Sequence, residues 1–257
     1  MKRMIVIASG KGGVGKTTTA INLGTAMKHF GKDVLIIDAN MSTPNVGIHL
    51  NSPEVPINLN HVLQGKAQPE EAVYSHESGI KIIPSSLSVK ELKKLKFEKL
   101  KEFKNDFKNL AEYVILDCSA GLGKEAMSAM EIADEVVLVS NPEMPAITDA
   151  LKTIKVAQGL KKPITGVIMT RVKKNKYELP PETVKDMLEV PVLGMIPEDD
   201  LFQDSLRRKN PLVHLYPKSK PARAYKEIAA RLMDIDYNSD KDRETLMDKI
   251  RNLIGGK

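Results

Sequence analysis

The chain of 257 residues carries one cysteine, Cys118, which excludes a disulfide framework within the chain and a multi-cysteine zinc or iron–sulfur site built by one copy. The net charge of +6 allows attraction to anionic lipid or nucleic acid without choosing between them. No apolar run reaches the ~18 residues of a membrane-spanning helix, and Met1 to Arg3 lead into a strand pattern rather than a signal peptide. These features predict a cytoplasmic protein that is soluble or peripheral on a membrane.

Short apolar runs alternate with longer periodic segments, which predicts an α/β fold with a mostly parallel twisted sheet and helices on both faces. The predicted strands are 4–8, Val34–Ile37, Ile80–Ile83, Tyr113–Leu116, Glu135–Val139, Ile164–Met169 and Val192–Ile196. The predicted helices are Lys16–Phe30, Lys124–Ile132, Pro145–Gln158, Pro180–Met187 and Ala222–Met233. The lysines of 90–108 have helical spacing and predict a solvated helix face. We predict one domain over 1–235, a polar linker at 236–243 and a terminal helix at 244–257.

A glycine-rich loop directly follows the first predicted strand and directly precedes the first predicted helix. Its sequence is Gly10-Lys11-Gly12-Gly13-Val14-Gly15-Lys16-Thr17, which satisfies the phosphate-loop pattern of nucleoside triphosphatases. The glycines let backbone N–H groups converge on phosphate oxygens, and the helix adds its positive N-terminal end. We expect Lys16 to neutralise the β- and γ-phosphates and the Thr17 hydroxyl to bind Mg²⁺.

The second lysine of this loop, Lys11, distinguishes it from an ordinary phosphate loop. Taken alone, Lys11 fits a solvated surface charge, but the segment from Lys11 to Thr18 resembles the deviant loop of the MinD/ParA family of ATPases. In that family the extra lysine reaches the nucleotide of the partner subunit. The resemblance implies a homodimer that encloses Mg-ATP, with Lys11 stabilising negative charge at the partner's γ-phosphate. It also implies that the nucleotide contacts Gly10, Lys11, Gly12, Gly13, Val14, Gly15, Lys16, Thr17 and Thr18.

The segment after the second predicted strand resembles the first switch of the family. Most relatives carry two aspartates there, the first near Mg²⁺ and the second acting on the attacking water. This chain has Asp38 but Asn40, and an amide can orient water without accepting its proton. The substitution therefore predicts slow hydrolysis, or an ATP-binding switch that does not hydrolyse at a useful rate. The alternative is that both residues only form a turn after the strand.

The segment from Asp117 to Gly121 follows another apolar strand and resembles the second switch, with Ser119 in place of the usual proline. A carboxylate at this position holds Mg²⁺ directly or through water. Gly121 retains the flexibility that a γ-phosphate sensor needs, and Cys118 is predicted to be packed rather than reactive. The predicted magnesium ligands are Thr17, Asp38 and Asp117. The predicted catalytic residues are Lys11, Lys16, Asp38 and Asn40.

Three further positions correspond to sites in the MinD branch. Asn141 begins an N-P-E turn that contacts the nucleotide in relatives, and Asp149 lies on the next helix at a position associated with a protein partner. Both residues also fit helix-capping chemistry. Arg171 and the pair Pro197 and Glu198 match positions around the adenine.

The C-terminal segment has an amphipathic pattern. Its apolar residues fall on one helical face and are Leu246, Met247, Ile250, Leu253 and Ile254. Lys249 and Arg251 lie near the polar side, so the segment resembles the membrane-targeting sequence of MinD. This resemblance implies binding to an anionic membrane surface, strengthened when dimerisation brings two copies together. The alternative is an ordinary helix packed on the domain.

The resemblance as a whole implies a MinD-like Mg-ATPase switch that cycles on and off the cytoplasmic face of the cell membrane and positions cell-division or other polar machinery. A ParA-type partition ATPase, whose ATP dimer binds DNA through lysines, is the alternative. DNA binding does not require the terminal helix, so we regard DNA as the less favoured partner. Redox and cluster-carrier relatives need paired cysteines on each chain, which Cys118 alone does not provide.

Overall fold

A computed structural model describes residues 2–92 and 96–239. The strands in these residues are β1 Arg3–Ala8, β2 Val34–Ala39, β3 Tyr74–Ser75, β4 Lys81–Ile83, β5 Tyr113–Cys118, β6 Glu135–Ser140, β7 Ile164–Val172 and β8 Val192–Pro197. They form a sheet in the order β3-β4-β2-β5-β1-β6-β7-β8. All neighbouring strands in it are parallel except β3, which pairs antiparallel with β4. The α/β prediction is confirmed.

The helices connect these strands. They are α1 Lys16–His29, α2 Val46–His49, α3 Leu59–Leu63, α4 Val89–Leu92, α5 Lys104–Asn109, α6 Lys124–Ile132, α7 Met144–Gly159, α8 Pro181–Leu188, α9 Leu201–Arg207, α10 Leu212–Leu215 and α11 Lys220–Met233. The described residues also include 3₁₀ helices at Pro69–Ala72 and Phe97–Phe103. The described parts of the lysine-rich stretch 90–108 thus belong to α4, to the second of these 3₁₀ helices and to α5.

The sheet is buried on both faces, which explains why its strands are almost wholly apolar. In β1, Met4, Val6 and Ala8 belong to one core, whereas Ile5 and Ile7 belong to the core on the opposite face. The first core includes residues of α6, α7 and α8, and the second includes residues of α1 and α11. The sheet is thus the middle layer of three, with an apolar core on each side.

The predicted strands and long helices agree with the structure to within a few residues. Helix α11 begins earlier than predicted, because the Ser219 hydroxyl accepts a hydrogen bond from the Ala222 amide and caps the helix. The prediction missed β3, which has two residues, and the helices α2, α3, α9 and α10, which have four to seven. Segments this short do not complete the periods on which pattern recognition depends.

The predicted linker at 236–243 is described only as far as residue 239, and the predicted helix at 244–257 lies outside the described residues. Within the described ranges, no helix is long and apolar enough to cross a membrane.

Candidate nucleotide and magnesium site

The phosphate loop and the two predicted switches lie close together because the strands that precede them are adjacent and parallel. The carboxyl ends of β2, β5 and β1 lie side by side, and Asp38 of β2 is in register with Asp117 of β5. In the same way Asp117 is in register with Ile7, which lies shortly before the phosphate loop. Ligands of open α/β sheets bind at this edge. The structure therefore brings together the phosphate loop and both predicted switches.

The phosphate loop is shaped by close packing and by an unusual backbone conformation. A Cβ on Gly10 would lie 2.2 Å from the carbonyl oxygen of Asp149, so only glycine lets the loop approach α7 this closely. Gly15 has a φ of 91°, in the left-handed region that favours glycine, and α1 begins at the next residue. The loop is thus fixed directly against the N-terminus of α1, where backbone N–H groups and the helix dipole attract anions.

The two lysines of the loop have opposite environments. Lys16 is buried, with 8% of its surface exposed, and its Nζ donates a hydrogen bond to Ser9 Oγ at 2.9 Å. Ser9 Oγ in turn donates to the carbonyl oxygen of Lys11 at 2.7 Å. The Lys11 side chain is exposed and, among the described residues, makes no hydrogen bond or ion pair. Lys16 therefore lies inside its own subunit's site, whereas Lys11 is directed to the outside.

Asp117 is the buried carboxylate of the site. Its Oδ2 accepts a hydrogen bond from Thr17 Oγ1 at 2.6 Å, and its Oδ1 has no hydrogen-bond partner. Burial raises the pKa of Asp117 to about 6, although the Thr17 hydroxyl and the Lys16 charge lower it. A buried carboxylate oxygen without a donor, next to a threonine hydroxyl, is a donor set that suits Mg²⁺.

No cluster of three or more metal-binding side chains of the His, Cys, Asp and Glu types occurs in the described part of the chain. In nucleotide sites Mg²⁺ is bound by one or two carboxylates, substrate phosphates and water. The residues Thr17 and Asp117 therefore fit the predicted ion.

Asp38 is fully buried and organises the first switch. Its Oδ1 accepts from the Asn40 amide at 3.2 Å, and its Oδ2 accepts from the amides of Asn45 and Val46, each at 2.9 Å. Burial raises the pKa of Asp38 well above its usual range, and the neighbouring Asp117 raises it further, whereas the amides lower it. Asp38 thus forms the turn that the sequence offered as an alternative, and it also lies beside the candidate magnesium ligand.

Asn40 is bonded within the same loop. Its Nδ2 donates to the carbonyl oxygen of Thr43 at 2.6 Å, and its Oδ1 accepts from Thr43 Oγ1 at 3.0 Å. The Asn40 side chain is thereby fixed within the loop. Its second N–H and its second oxygen lone pair can still bind a further partner such as water.

Glu125, which the sequence analysis did not single out, also contacts the first switch. It is buried in the first turn of α6, and its Oε1 accepts from the Ser42 amide at 2.8 Å. In the sequence, Glu125 is simply an acidic residue at the start of a predicted helix. Such residues are common because they interact favourably with the helix dipole, so nothing in the sequence marks Glu125 as functional.

A cavity of about 300 Å³ lies beside the phosphate loop. Its lining residues are Val14, Gly15, Thr18, Thr170, Arg171, Ile196, Pro197, Glu198, Asp199, Asp200, Phe202, Gln203 and Tyr225. The structure thus assembles Thr18 and the predicted adenine-side residues around one space. Sequence reasoning missed the aromatic side chains of Phe202 and Tyr225, which come from α9 and α11 and have no local motif.

Arg171 lines this cavity, whereas Asn141 lines a neighbouring one. Arg171 has a φ of 54°, a left-handed conformation that is uncommon outside glycine and is often found at functional sites. Asn141 lies in an adjacent cavity of about 220 Å³, which Arg171 also lines. The Thr170 hydroxyl connects the two spaces, because it lies 3.0 Å from Asn141 Oδ1 and 2.6 Å from the Val14 carbonyl oxygen.

Comparisons with known proteins agree with this geometry. A family model described as AAA domain matches residues 2–166. The septum site-determining protein MinD of Synechocystis is 30% identical over 100% of both chains. The chain belongs to the MinD/ParA family of ATPases.

Further relatives of this MinD/ParA ATPase include an uncharacterized ATP-binding protein of Methanocaldococcus jannaschii, which is 40% identical over 98% of this chain and 96% of its own. Among solved structures, the cell division ATPase MinD of Pyrococcus furiosus has a TM-score of 0.88 at 34% identity, covering 91% of this chain and 99% of its own. MinD of Pyrococcus horikoshii, solved with Mg-ADP, has a TM-score of 0.86 at 35% identity, covering 90% and 96%. The predicted cofactors, ATP and Mg²⁺, agree with that complex.

Asp149 of this MinD/ParA ATPase lies on α7 directly behind the phosphate loop. Its backbone carbonyl packs against Gly10, and its side chain is one-third exposed and pairs with Lys152 at 3.1 Å. A protein bound at Asp149 would therefore contact the helix that supports the phosphate loop. Its role as a partner site stays a prediction.

Proposed function

We propose that this ATPase is a dimerising switch that binds Mg-ATP, pairs with a second copy around the nucleotide and separates after hydrolysis. The observation that carries the proposal is the contrast between buried Lys16 and exposed Lys11 on one phosphate loop. Lys16 has a partner within the chain, Ser9, whereas the Lys11 ammonium has none among the described residues. An unpaired cation at this place is available to a phosphate bound by another subunit.

The roles of the remaining residues follow from their positions. The loop from Gly10 to Thr17 and the Lys16 ammonium bind the phosphates, and the adenine occupies the cavity beside Arg171, Pro197 and Glu198. Thr17 and Asp117 would hold Mg²⁺, and Asp38 lies beside Asp117. When bound, this ion neutralises charge that develops on the phosphate oxygens.

Hydrolysis is expected to be slow because the first switch lacks a proton acceptor at position 40. The Asn40 amide, which is bonded to Thr43, can orient water but cannot accept its proton. This lengthens the lifetime of the ATP-bound dimer.

Size-exclusion chromatography with light scattering tests the dimer. We expect the wild type to be monomeric with ADP and dimeric with a non-hydrolysable ATP analogue. Lys11→Ala should bind nucleotide but remain monomeric, while Lys155→Ala, which removes an exposed lysine from α7, should dimerise normally. A wild type that stays monomeric with the analogue at high concentration contradicts the proposal.

Membrane cycling is the second part of the proposal. The proposal is supported by the helical spacing of apolar residues in the terminal sequence, namely Leu246, Met247, Ile250, Leu253 and Ile254, and pairing would add a second copy of that sequence. ATP would then control residence on the cytoplasmic face of the cell membrane, where the protein positions division or other polar machinery. Asp149 is the proposed contact for a protein partner. The relatives named for septum-site determination support this direction.

Vesicle sedimentation tests the membrane proposal. With the ATP analogue, the full chain should sediment with anionic vesicles, and both deletion of 244–257 and the single change Leu253→Glu should prevent this. Sedimentation of the deletion variant refutes membrane binding through the tail. In a parallel DNA retardation assay, an ATP-dependent and salt-sensitive shift would instead favour the partition-type alternative.

A further inference from the structure

A buried carboxylate in α6, the helix that follows the second switch, contacts the first switch. Glu125 Oε1 accepts a hydrogen bond from the backbone amide of Ser42 at 2.8 Å, although the two residues are 83 positions apart. Glu125 is only 8% exposed, while the Ser42 side chain is exposed. The contact therefore uses the backbone of the first switch and does not depend on which side chain stands at position 42.

Glu125 is also connected to the phosphate loop through its own segment. It lies in the first turn of α6, which begins at Lys124, shortly after the second switch ends at Gly121. Within that switch, the Gly121 amide donates to the carbonyl oxygen of Ser9 at 3.0 Å. One backbone hydrogen bond, the chain from Gly121 to Glu125 and the Glu125 carboxylate thus connect the residue before the phosphate loop to the first switch.

The first switch has a second anchor on its other side. Asp38 accepts the amides of Asn40, Asn45 and Val46, which flank Ser42 in sequence. The loop is therefore held between the carboxylate of Asp38 in β2 and the carboxylate of Glu125 in α6. Displacement of α6 would therefore either move Ser42 relative to Asp38 or break the hydrogen bond between Ser42 and Glu125.

We infer that Glu125 is a positioning residue that couples the second switch to the first, so that a nucleotide sensed at Gly121 sets the arrangement of Asp38 and Asn40. This inference rests on the proposed function, since it assigns regulation to the same site. A charged acceptor suits the role because hydrogen bonds to carboxylates are stronger than neutral ones, and a buried carboxylate left without donors is costly. Loss of the contact therefore changes the loop more than loss of an exposed bond.

Hydrogen exchange of the amides in 40–46 tests the coupling, measured by mass spectrometry in the Lys11→Ala background. That background should not dimerise, so contacts with a second subunit do not contribute. Glu125→Ala removes the acceptor, and Ser42→Pro removes the donor. Each change should speed exchange about tenfold. The double variant should be no faster than the singles, since both remove the same bond.

Matched controls separate this bond from general effects. Ser42→Ala keeps the amide and should keep slow exchange, and Glu125→Gln keeps an acceptor oxygen and should restore part of the protection. Glu131→Ala changes an exposed acid of the same helix and should have no effect. If Glu125→Ala fails to fold, Glu125→Gln and Ser42→Pro still carry the comparison.

The nucleotide dependence is the decisive readout. With an intact Glu125, exchange in 40–46 should differ between ADP and the non-hydrolysable ATP analogue, and Glu125→Ala should remove most of that difference. Unchanged exchange in Glu125→Ala, additive effects in the double variant, or the same nucleotide response with and without Glu125 would each overturn the inference. Dimerisation is measured separately by light scattering, so failure of the dimer proposal is distinguishable from failure of this one.

Discussion

We expect the buried carboxylate of Asp117 to lower the free energy of unfolding of the metal-free protein. The variant Asp117→Asn tests this directly. Burial raises the pKa of Asp117 to about 6 from an ordinary value of 3.8. At about 1.4 kcal/mol for each pKa unit, keeping this group ionised costs the folded state about 3 kcal/mol. Asparagine removes the charge and retains an oxygen that accepts from Thr17 Oγ1. We expect Asp117→Asn to raise the free energy of unfolding by about 1–3 kcal/mol at neutral pH without metal.

The sign of the pH dependence follows from the raised pKa. An acid whose pKa is raised by folding binds its proton more tightly in the folded chain than in the unfolded one. The free energy of unfolding of the wild type should therefore fall as the pH rises from 3.8 to about 6, and stay lower above that value. Asp38, whose pKa is also raised, should add to this fall. The Asp117→Asn variant should show a weaker decline.

Urea unfolding in the presence of a chelator, over this pH range, measures both effects. In a separate series without chelator, Mg-ADP should stabilise the wild type, because the ion and its ligands offset the buried charge, and should stabilise Asp117→Asn much less. Asp106→Asn, which changes an exposed acid, is the control and should leave the curve unchanged. The reasoning is refuted if the metal-free variant is less stable than the wild type at neutral pH, or if the wild type shows no decline.

Three further outcomes follow from the site. Gly10→Ala should destabilise the fold by about 1–3 kcal/mol, because its Cβ would lie 2.2 Å from the Asp149 carbonyl oxygen. Gly12→Ala is the control and should unfold at the wild-type urea concentration, because the nearest atom to its Cβ would be 4.0 Å away. Burial raises the pKa of the Cys118 thiol to about 12, so alkylation at neutral pH should require unfolding, as mass spectrometry would detect. Asn40→Asp should increase the single-turnover hydrolysis rate, and an unchanged rate would argue against a role for this position in handling the water.

Much of the fold could be predicted from local sequence patterns, because each pattern extends over only a few residues. The strand before Gly10 and the helix after Gly15 are visible as apolar runs and periodicity, and the glycines between them satisfy a motif with a known phosphate geometry. The same holds for Asp38 and Asp117, each at the end of an apolar strand. The local sequence pattern therefore indicates these residues directly.

Other features depend on contacts that no local pattern encodes. The sequence does not show that Asn40 is bonded to Thr43, or that Phe202 and Tyr225 line the cavity beside the phosphate loop. The two aromatic residues come from α9 and α11, which only the three-dimensional arrangement brings beside the phosphate loop. Short elements such as β3 and α2 are likewise stabilised by their neighbours rather than by their own periodicity.

The amino-acid sequence alone thus determined the α/β class, the phosphate loop and the acidic strand ends, because periodicity and loop chemistry act between neighbours along the chain. Tertiary structure alone decided that Thr17 bonds to Asp117 across 100 positions and that Ser42 bonds to Glu125 across 83. Those bonds depend on the strand order that sets β5 between β1 and β2. Strand order results from burial of the whole sheet on both faces, which is a property of the assembled core and not of any one segment.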